Sequence, residues 1–252
     1  MLISIITATY NSQYFLTSAL NSYQNQTHPD KELIVIDGHS NDGTLAIIDK
    51  HKNFINQFVS EKDKGIYDAL NKGIGLAKGN VIGILHSDDF FADEEVLLQV
   101  NEVFENDDTI EAIYGDLQYI DRNNPTRIIR NWVSGKYDRK NFRYGWMPPH
   151  PTLFIKRDCF IKYGSYDLTF TSAADYDLIL RFLFKHNIKT AYLPKVFTKM
   201  RVGGLSNHSL KHRIKANKED RLAMRTNGLK FPLLVAILKP IRKLGQYWDK
   251  NH

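Results

Sequence analysis

The sequence predicts an α/β fold: a mostly parallel central sheet with helices on both faces, followed by a helical, basic and amphipathic C-terminal tail. Three observations predict it. Short β-branched runs alternate with helix-periodic stretches through the first hundred residues, a rhythm that calls for crossover helices between parallel strands. Two of the runs end in carboxylates, at Asp37 and at Asp88-Asp89, and open α/β sheets place their ligands beyond the carboxyl ends of strands. Positive charge collects at the end: residues 201–252 hold 12 Lys and Arg against 3 acids, residues 1–200 hold 22 against 25, and the net +6 therefore comes entirely from the last fifth.

The elements follow in order. Leu2–Ala8 is an apolar, β-branched run that breaks at Tyr10-Asn11-Ser12, a turn and helix-start signal. Leu16, Ala19, Leu20 and Tyr23 then share one helical face. A second strand, Glu32–Ile36, enters Asp37-Gly38-His39-Ser40-Asn41-Asp42-Gly43, which is dense in turn formers, and a helix opens near Thr44. Ile66, Ala69, Leu70, Gly73, Ile74 and Ala77 fall at spacings of three and four and predict an amphipathic helix. The apolar strand Val81–Leu85 runs into His86-Ser87-Asp88-Asp89. From about Ile110 to Trp132 the rhythm changes to strand-like runs, Ala112–Tyr114 and Gln118–Ile120, with no long helix between them. Met147-Pro148-Pro149-His150-Pro151-Thr152 reads as a rigid turn entering a strand. Ser172–Arg181 opens a helix with Asp175 and Asp177 in its first turn.

Adjacent carboxylates at a buried strand end repel unless a cation lies between them. Asp88 and Asp89 therefore ask for a divalent metal, and hard oxygen ligands suit Mn2+ or Mg2+ carrying a phosphate. The alternative is that these acids cap the following helix.

Five motifs together resemble the family 2 glycosyltransferases, inverting enzymes with the GT-A fold: IITATYN (5–11), DGHSNDGT (37–44), EKDKGIYDALNKGIGLAKG (61–79), HSDD (86–89) and AADYDLILR (173–181). The resemblance runs from about residue 2 to about residue 205 in the family's order and spacing. It implies a GT-A domain over 1–205, with a nucleotide-sugar half to about 110 and an acceptor half from about 111; the helical, basic tail follows over 206–252. It also implies roles. Asp37 would accept the uracil ring N–H, with the backbone around Thr7, Ala8 and Tyr10 lining the base pocket. Asp88 would contact the ribose, and Asp89 would hold the metal on the diphosphate. Asp63 and Lys64 lie in a loop that would approach the nucleotide, where Lys64 or Lys72 meets phosphate charge; a solvated side chain is the alternative for Lys72. Asp175 matches the base that takes the acceptor's proton. Ala174 stands where the family commonly has glutamate, which leaves Asp177 open as a partner in that work or as a helix-dipole residue. Trp146 and His150 would border the acceptor pocket. Arg201, Gly203 and Gly204 match a closing loop, with His208 as either an additional metal ligand or an ordinary loop histidine. His86 replaces the aspartate or asparagine of a strict D-x-D pattern, and no role follows for it.

The reaction implied is a single displacement. A hexose or N-acetylhexosamine passes from a UDP-sugar to a hydroxyl of a polyprenyl-diphosphate-linked saccharide, giving a β-linkage in O-antigen, lipopolysaccharide, capsule or exopolysaccharide synthesis. A polyprenyl-phosphate glycosyltransferase and a non-catalytic sugar-nucleotide-binding subunit are the alternatives. A Rossmann oxidoreductase is disfavoured because no G-x-G-x-x-G follows the first strand.

The single cysteine, Cys159, excludes an internal disulfide and cysteine-rich zinc sites. No basic leader precedes the first strand, and no stretch reaches the roughly eighteen apolar residues a membrane span needs. The expected setting is cytoplasmic, peripheral at the inner face of the cytoplasmic membrane. Phe231–Leu238, flanked by Lys239, Arg242, Lys243, Tyr247 and Trp248, suits the surface of an anionic membrane; the alternative is a terminal helix packed on the domain. The tail carries no recognised nucleic-acid-binding motif, so nucleic acid is not an expected partner.

Overall fold

The computed structural model describes residues 1–203 and 210–244. The chain begins β1 (Ile3–Thr9), α1 (Leu16–Gln24), β2 (Lys31–Asp37), α2 (Thr44–Lys50), β3 (Gln57–Ser60), α3 (Ile66–Leu76) and β4 (Val81–Ile84). Its four strands are all parallel, in the order β3-β2-β1-β4. Side-chain alternation splits them between two cores. Ile6, Ala8, Ile34, Ile36, Ile82 and Ile84 pack on the α3 side. Ile3, Ile5, Leu33, Val35 and Val81 pack on the α1 side. The predicted face of α1 is buried throughout, and on α3 only Ile66, at its first position, stays exposed.

The second half comprises β5 (Phe90–Phe91), α4 (Val96–Asn106), β6 (Ala112–Ile120), β7 (Ile128–Trp132), β8 (Phe154–Lys156), α5 (Arg157–Tyr163), α6 (Ala174–Ile179) and β9 (Thr190–Arg201). These strands extend the sheet as β4-β8-β6-β9-β5, with β7 on β6. Here β6 and β9 run parallel and the other pairings are antiparallel. The two runs expected at 112–114 and 118–120 are one strand. Gly115-Asp116 interrupts the apolar pattern without ending the ladder, because the register against β9 shifts there. A Cβ on Gly115 would lie 2.6 Å from the Lys195 carbonyl oxygen, so only glycine lets β9 pass. Asp116 is satisfied by the Ser134 backbone N–H at 2.7 Å and the Tyr192 hydroxyl at 2.9 Å.

Helices α7 (Leu210–Thr226) and α8 (Pro232–Leu244) close the described chain. Their inner faces join the domain core through Ala223, Met224, Leu229 and Val235. Lys239 pairs with Asp220 at 2.7 Å and lies over the Tyr176 ring at 3.5 Å. This inner face therefore packs on the domain. The outer face of α8 is apolar and exposed at Leu233, Leu234, Ile237 and Ile241, with Phe231 just ahead. No helix among the described residues is long and apolar enough to cross a membrane.

Candidate active site

The parallel strands deliver their acids to one edge of the sheet. Asp37 ends β2 opposite Thr9 of β1 and is fully buried. Its Oδ2 accepts from the Ser40 backbone N–H at 3.0 Å and from the Ser60 hydroxyl at 2.6 Å, and its Oδ1 accepts from the Ser40 hydroxyl. A carboxylate has about four acceptor positions, so about one is left. Beside it, a Cβ on Gly38 would fall 2.6 Å from the Asp63 carboxylate and 3.4 Å from the Tyr10 ring, so Asp63 and Tyr10 both crowd close to this glycine. Asp63 also accepts from the Gly65 N–H at 2.9 Å, which shapes the loop before α3. Thr7 and Ala8 are buried within β1, and of that stretch it is Tyr10 that reaches the surface, 61% exposed. Lys64 is exposed. Lys72 pairs with Glu61 at 2.8 Å and Asp68 at 3.6 Å, an arrangement that accounts for it without a phosphate.

Beyond β4, Asp88 is half-buried and Asp89 is buried. The β5–β9 pairing carries Arg201 to this acid pair. Asp89 Oδ1 accepts from the Arg201 backbone N–H at 3.3 Å, and the Arg201 Nη1 donates to the Asp88 carbonyl at 2.6 Å. The Arg201 guanidinium, itself buried, lies 5.0 Å from the Phe15 ring centroid and 4.9 Å from that of Phe90. Asp89 Oδ2 is buried with no partner among the described residues. Burial first, and the neighbouring Asp88 charge second, hold the Asp89 carboxyl well above the usual carboxylate range, against the pull of Arg201. A buried, partnerless carboxylate oxygen next to a second acid is the donor chemistry a hard divalent cation requires, so these residues fit Mn2+ or Mg2+. Among the described residues no three acids, histidines or cysteines converge, so phosphate oxygens and water would have to complete such a shell. Gly203 is exposed just past β9; Gly204 and His208 lie outside the described residues.

The third acid comes from α6. Asp175 is half-buried, and its Oδ1 accepts from the Tyr67 hydroxyl at 3.1 Å and from the Tyr176 backbone N–H at 2.8 Å. Tyr67 stacks on Tyr166 at 5.5 Å, and the Tyr166 hydroxyl meets His150 Nε2 at 2.6 Å. The His150 and His86 rings are 5.9 Å apart. Burial pushes His150 down to about 4. His86 is also lowered by burial, while the charges of Asp88 and Asp175 both act on it in the opposite sense. This imidazole thus lies within the field of both Asp88 and Asp175, and its Nδ1 is another buried atom without a partner among the described residues. Sequence reasoning found no role for His86 and did not single out Tyr67 or Tyr166. Tyr67 lies inside a quoted motif, but its helical spacing gave no chemical signal.

Two of the expected residues are engaged elsewhere in the structure. Asp177 is buried, ion-paired with Arg181 at 3.3 Å and bonded by the Asn227 side-chain amide at 2.7 Å. Its carboxylate ties α6 to α7 and is not free to share the base's work. Trp146 is a core residue: its Nε1 donates to the Ser134 carbonyl at 2.7 Å, and its ring packs edge-on against Phe142 and Tyr114, so it cannot stack on a sugar.

A GT-A sheet with acids at the ends of β2 and β4, and another at the start of α6, defines a sugar-transferring enzyme. The chain belongs to glycosyl transferase family 2, whose family pattern matches residues 4–164. It is a glycosyltransferase with relatives in glycoconjugate and polysaccharide biosynthesis. A PGL/p-HBAD biosynthesis glycosyltransferase of Mycobacterium bovis is 30% identical over 208 residues, 81% of this chain and 78% of the relative. The chondroitin synthase of Escherichia coli is 32% identical over 76% of this chain, which spans 28% of that longer protein. Among solved structures, S. aureus TarS 1–349 in complex with UDP-GlcNAc aligns over 100% of this chain and 74% of its own, with TM-score 0.72 at 18% identity. The mannosyltransferase PcManGT of Pyrobaculum calidifontis, in complex with GDP-Man and Mn2+, aligns over 99% and 76%, with TM-score 0.67 at 16% identity. At these identities the structural likeness shows the fold.

Proposed function

We propose that the protein is an inverting, metal-dependent transferase that moves a hexose or N-acetylhexosamine from a UDP-sugar to a hydroxyl of a polyprenyl-diphosphate-linked saccharide, forming a β-linkage. The observation that carries this reading is the separation of acidic chemistry into two centres: Asp88 and Asp89 with Arg201 on one side, Asp175 with Tyr67 on the other. A single displacement needs both. Asp89, with Asp88 beside it, would hold the divalent metal, which when bound neutralises charge on the leaving diphosphate. Asp37 offers its remaining acceptor position to the ring N–H of the base, with Tyr10 and Asp63 beside it, and Asp88 meets the ribose. The complexes of TarS with UDP-GlcNAc and of PcManGT with Mn2+ support the donor class and the metal.

Asp175 removes the acceptor hydroxyl's proton as that oxygen bonds to the anomeric carbon and the nucleoside diphosphate departs with the electron pair. The exposed apolar face of α8, in a segment rich in cations, supports a peripheral position on an anionic cytoplasmic membrane, where a lipid-linked acceptor resides. A panel of UDP-, GDP- and dTDP-sugars with Mn2+ or Mg2+ and a synthetic lipid-diphosphate-linked GlcNAc or GalNAc tests the function. The expected product is one disaccharide from a UDP-sugar with a β-anomeric NMR coupling. An α-linked product from an α-linked donor removes inversion, and transfer to polyprenyl phosphate alone replaces the acceptor.

A further inference from the structure

We propose that Tyr67 is a positioning residue for Asp175, clamping Oδ1 so that proton transfer runs through Oδ2. The inference rests on the reading of Asp175 as the base. Oδ1 is held twice, by the Tyr67 hydroxyl at 3.1 Å and the Tyr176 backbone N–H at 2.8 Å. Among the described residues Oδ2 accepts no bond. Two donors on one oxygen fix the carboxylate plane and leave the other oxygen to meet the acceptor hydroxyl.

Tyr67 is itself fixed. Its ring stacks on Tyr166, whose backbone is pinned from both sides by the Asn71 amide: N–H to Oδ1 at 2.9 Å, carbonyl from Nδ2 at 2.8 Å. The Tyr166 hydroxyl is anchored in turn on the buried His150 at 2.6 Å. Burial foremost, and then the Asp175 carboxylate, push the Tyr67 phenol far above its ordinary value, so the phenol keeps its proton and the bond is donated to Asp175. Tyr67 stands in the first turn of α3, two residues past Gly65, whose N–H bonds Asp63 in the loop assigned to the nucleotide. The group that aims the base therefore belongs to the donor half of the domain.

The test is a kinetic cycle of Tyr67→Phe, Asp175→Asn and the double variant. Phenylalanine keeps the ring and its stack and removes only the donated bond, and donor KM reports an intact nucleotide site. The expected result is at least about a tenfold fall in kcat with donor KM within about twofold, and no further loss from Tyr67→Phe on top of Asp175→Asn. A Tyr67→Phe kcat within about twofold of the parent, or the same fractional loss in the Asp175→Asn background, overturns the positioning role. If Asp175→Asn transfers at the parental rate, the base reading itself falls; if it is inactive while Tyr67→Phe is not impaired, only Tyr67's role falls.

Discussion

At the scale of single residues, Asp89 carries the clearest cost to the fold. Its carboxyl is buried with one oxygen partnerless among the described residues, an arrangement that penalises the ionised form unless a cation compensates it. His150 makes the opposite kind of commitment, a buried imidazole held neutral against Tyr166. Its folded value of about 4 lies below the ordinary 6.5, so the unfolded chain binds the proton more readily between those values. The stability it contributes is complete above about pH 6.5 and drains away as pH falls towards 4. Unfolding free energy should therefore drop by roughly 2 kcal/mol between about pH 7 and about pH 5 on account of this group. Denaturant titrations at both pH values should show a smaller drop for His150→Gln; identical pH dependences would remove His150 as the cause.

At the scale of elements, α8 has two faces of different character. Val235 and Lys239 fasten it to the domain, while Leu233, Leu234, Ile237 and Ile241 face outward. Removing the whole segment would strip core residues as well as the exposed apolar surface, so point changes are the sharper probe of the proposed membrane contact. Leu234→Glu with Ile237→Glu should leave the unfolding temperature unchanged and weaken binding to anionic vesicles by about tenfold or more in a sedimentation assay, because burying each such side chain is worth roughly 1.5–3 kcal/mol. Undiminished vesicle binding would point to a different surface. These elements also show what the sequence makes legible. The buried faces of α1 and α3 and the acids ending β2 and β4 follow from period and position, because local chain geometry decides them. The continuity of β6 through Gly115-Asp116 does not, since a bulge against β9 is a tertiary event. Trp146 misleads for the same reason: an aromatic ring looks alike in sequence whether it faces a sugar or Phe142.

Across the whole molecule, the parallel half and the mixed half of the sheet supply different parts of one site. β2 and β4 deliver Asp37, Asp88 and Asp89, while β9 and α6 return Arg201 and Asp175 to the same edge. The individual acids could be named from motifs, but the side chains that pack beside Asp175 could not. Tyr67, Tyr166, His150 and His86 come from four separate stretches and meet only in the folded chain. In the proposed function these centres divide the labour, with Asp89 holding donor through metal and Asp175 acting only on the acceptor. Calorimetric titration of UDP-sugar into Asp89→Asn and Asp175→Asn, each with and without Mn2+, tests it most directly. Asp175→Asn should bind donor as the parent does while failing to transfer, and Asp89→Asn should lose the metal-dependent gain in affinity; a metal response that survives in Asp89→Asn, or donor binding lost in Asp175→Asn, would contradict the account.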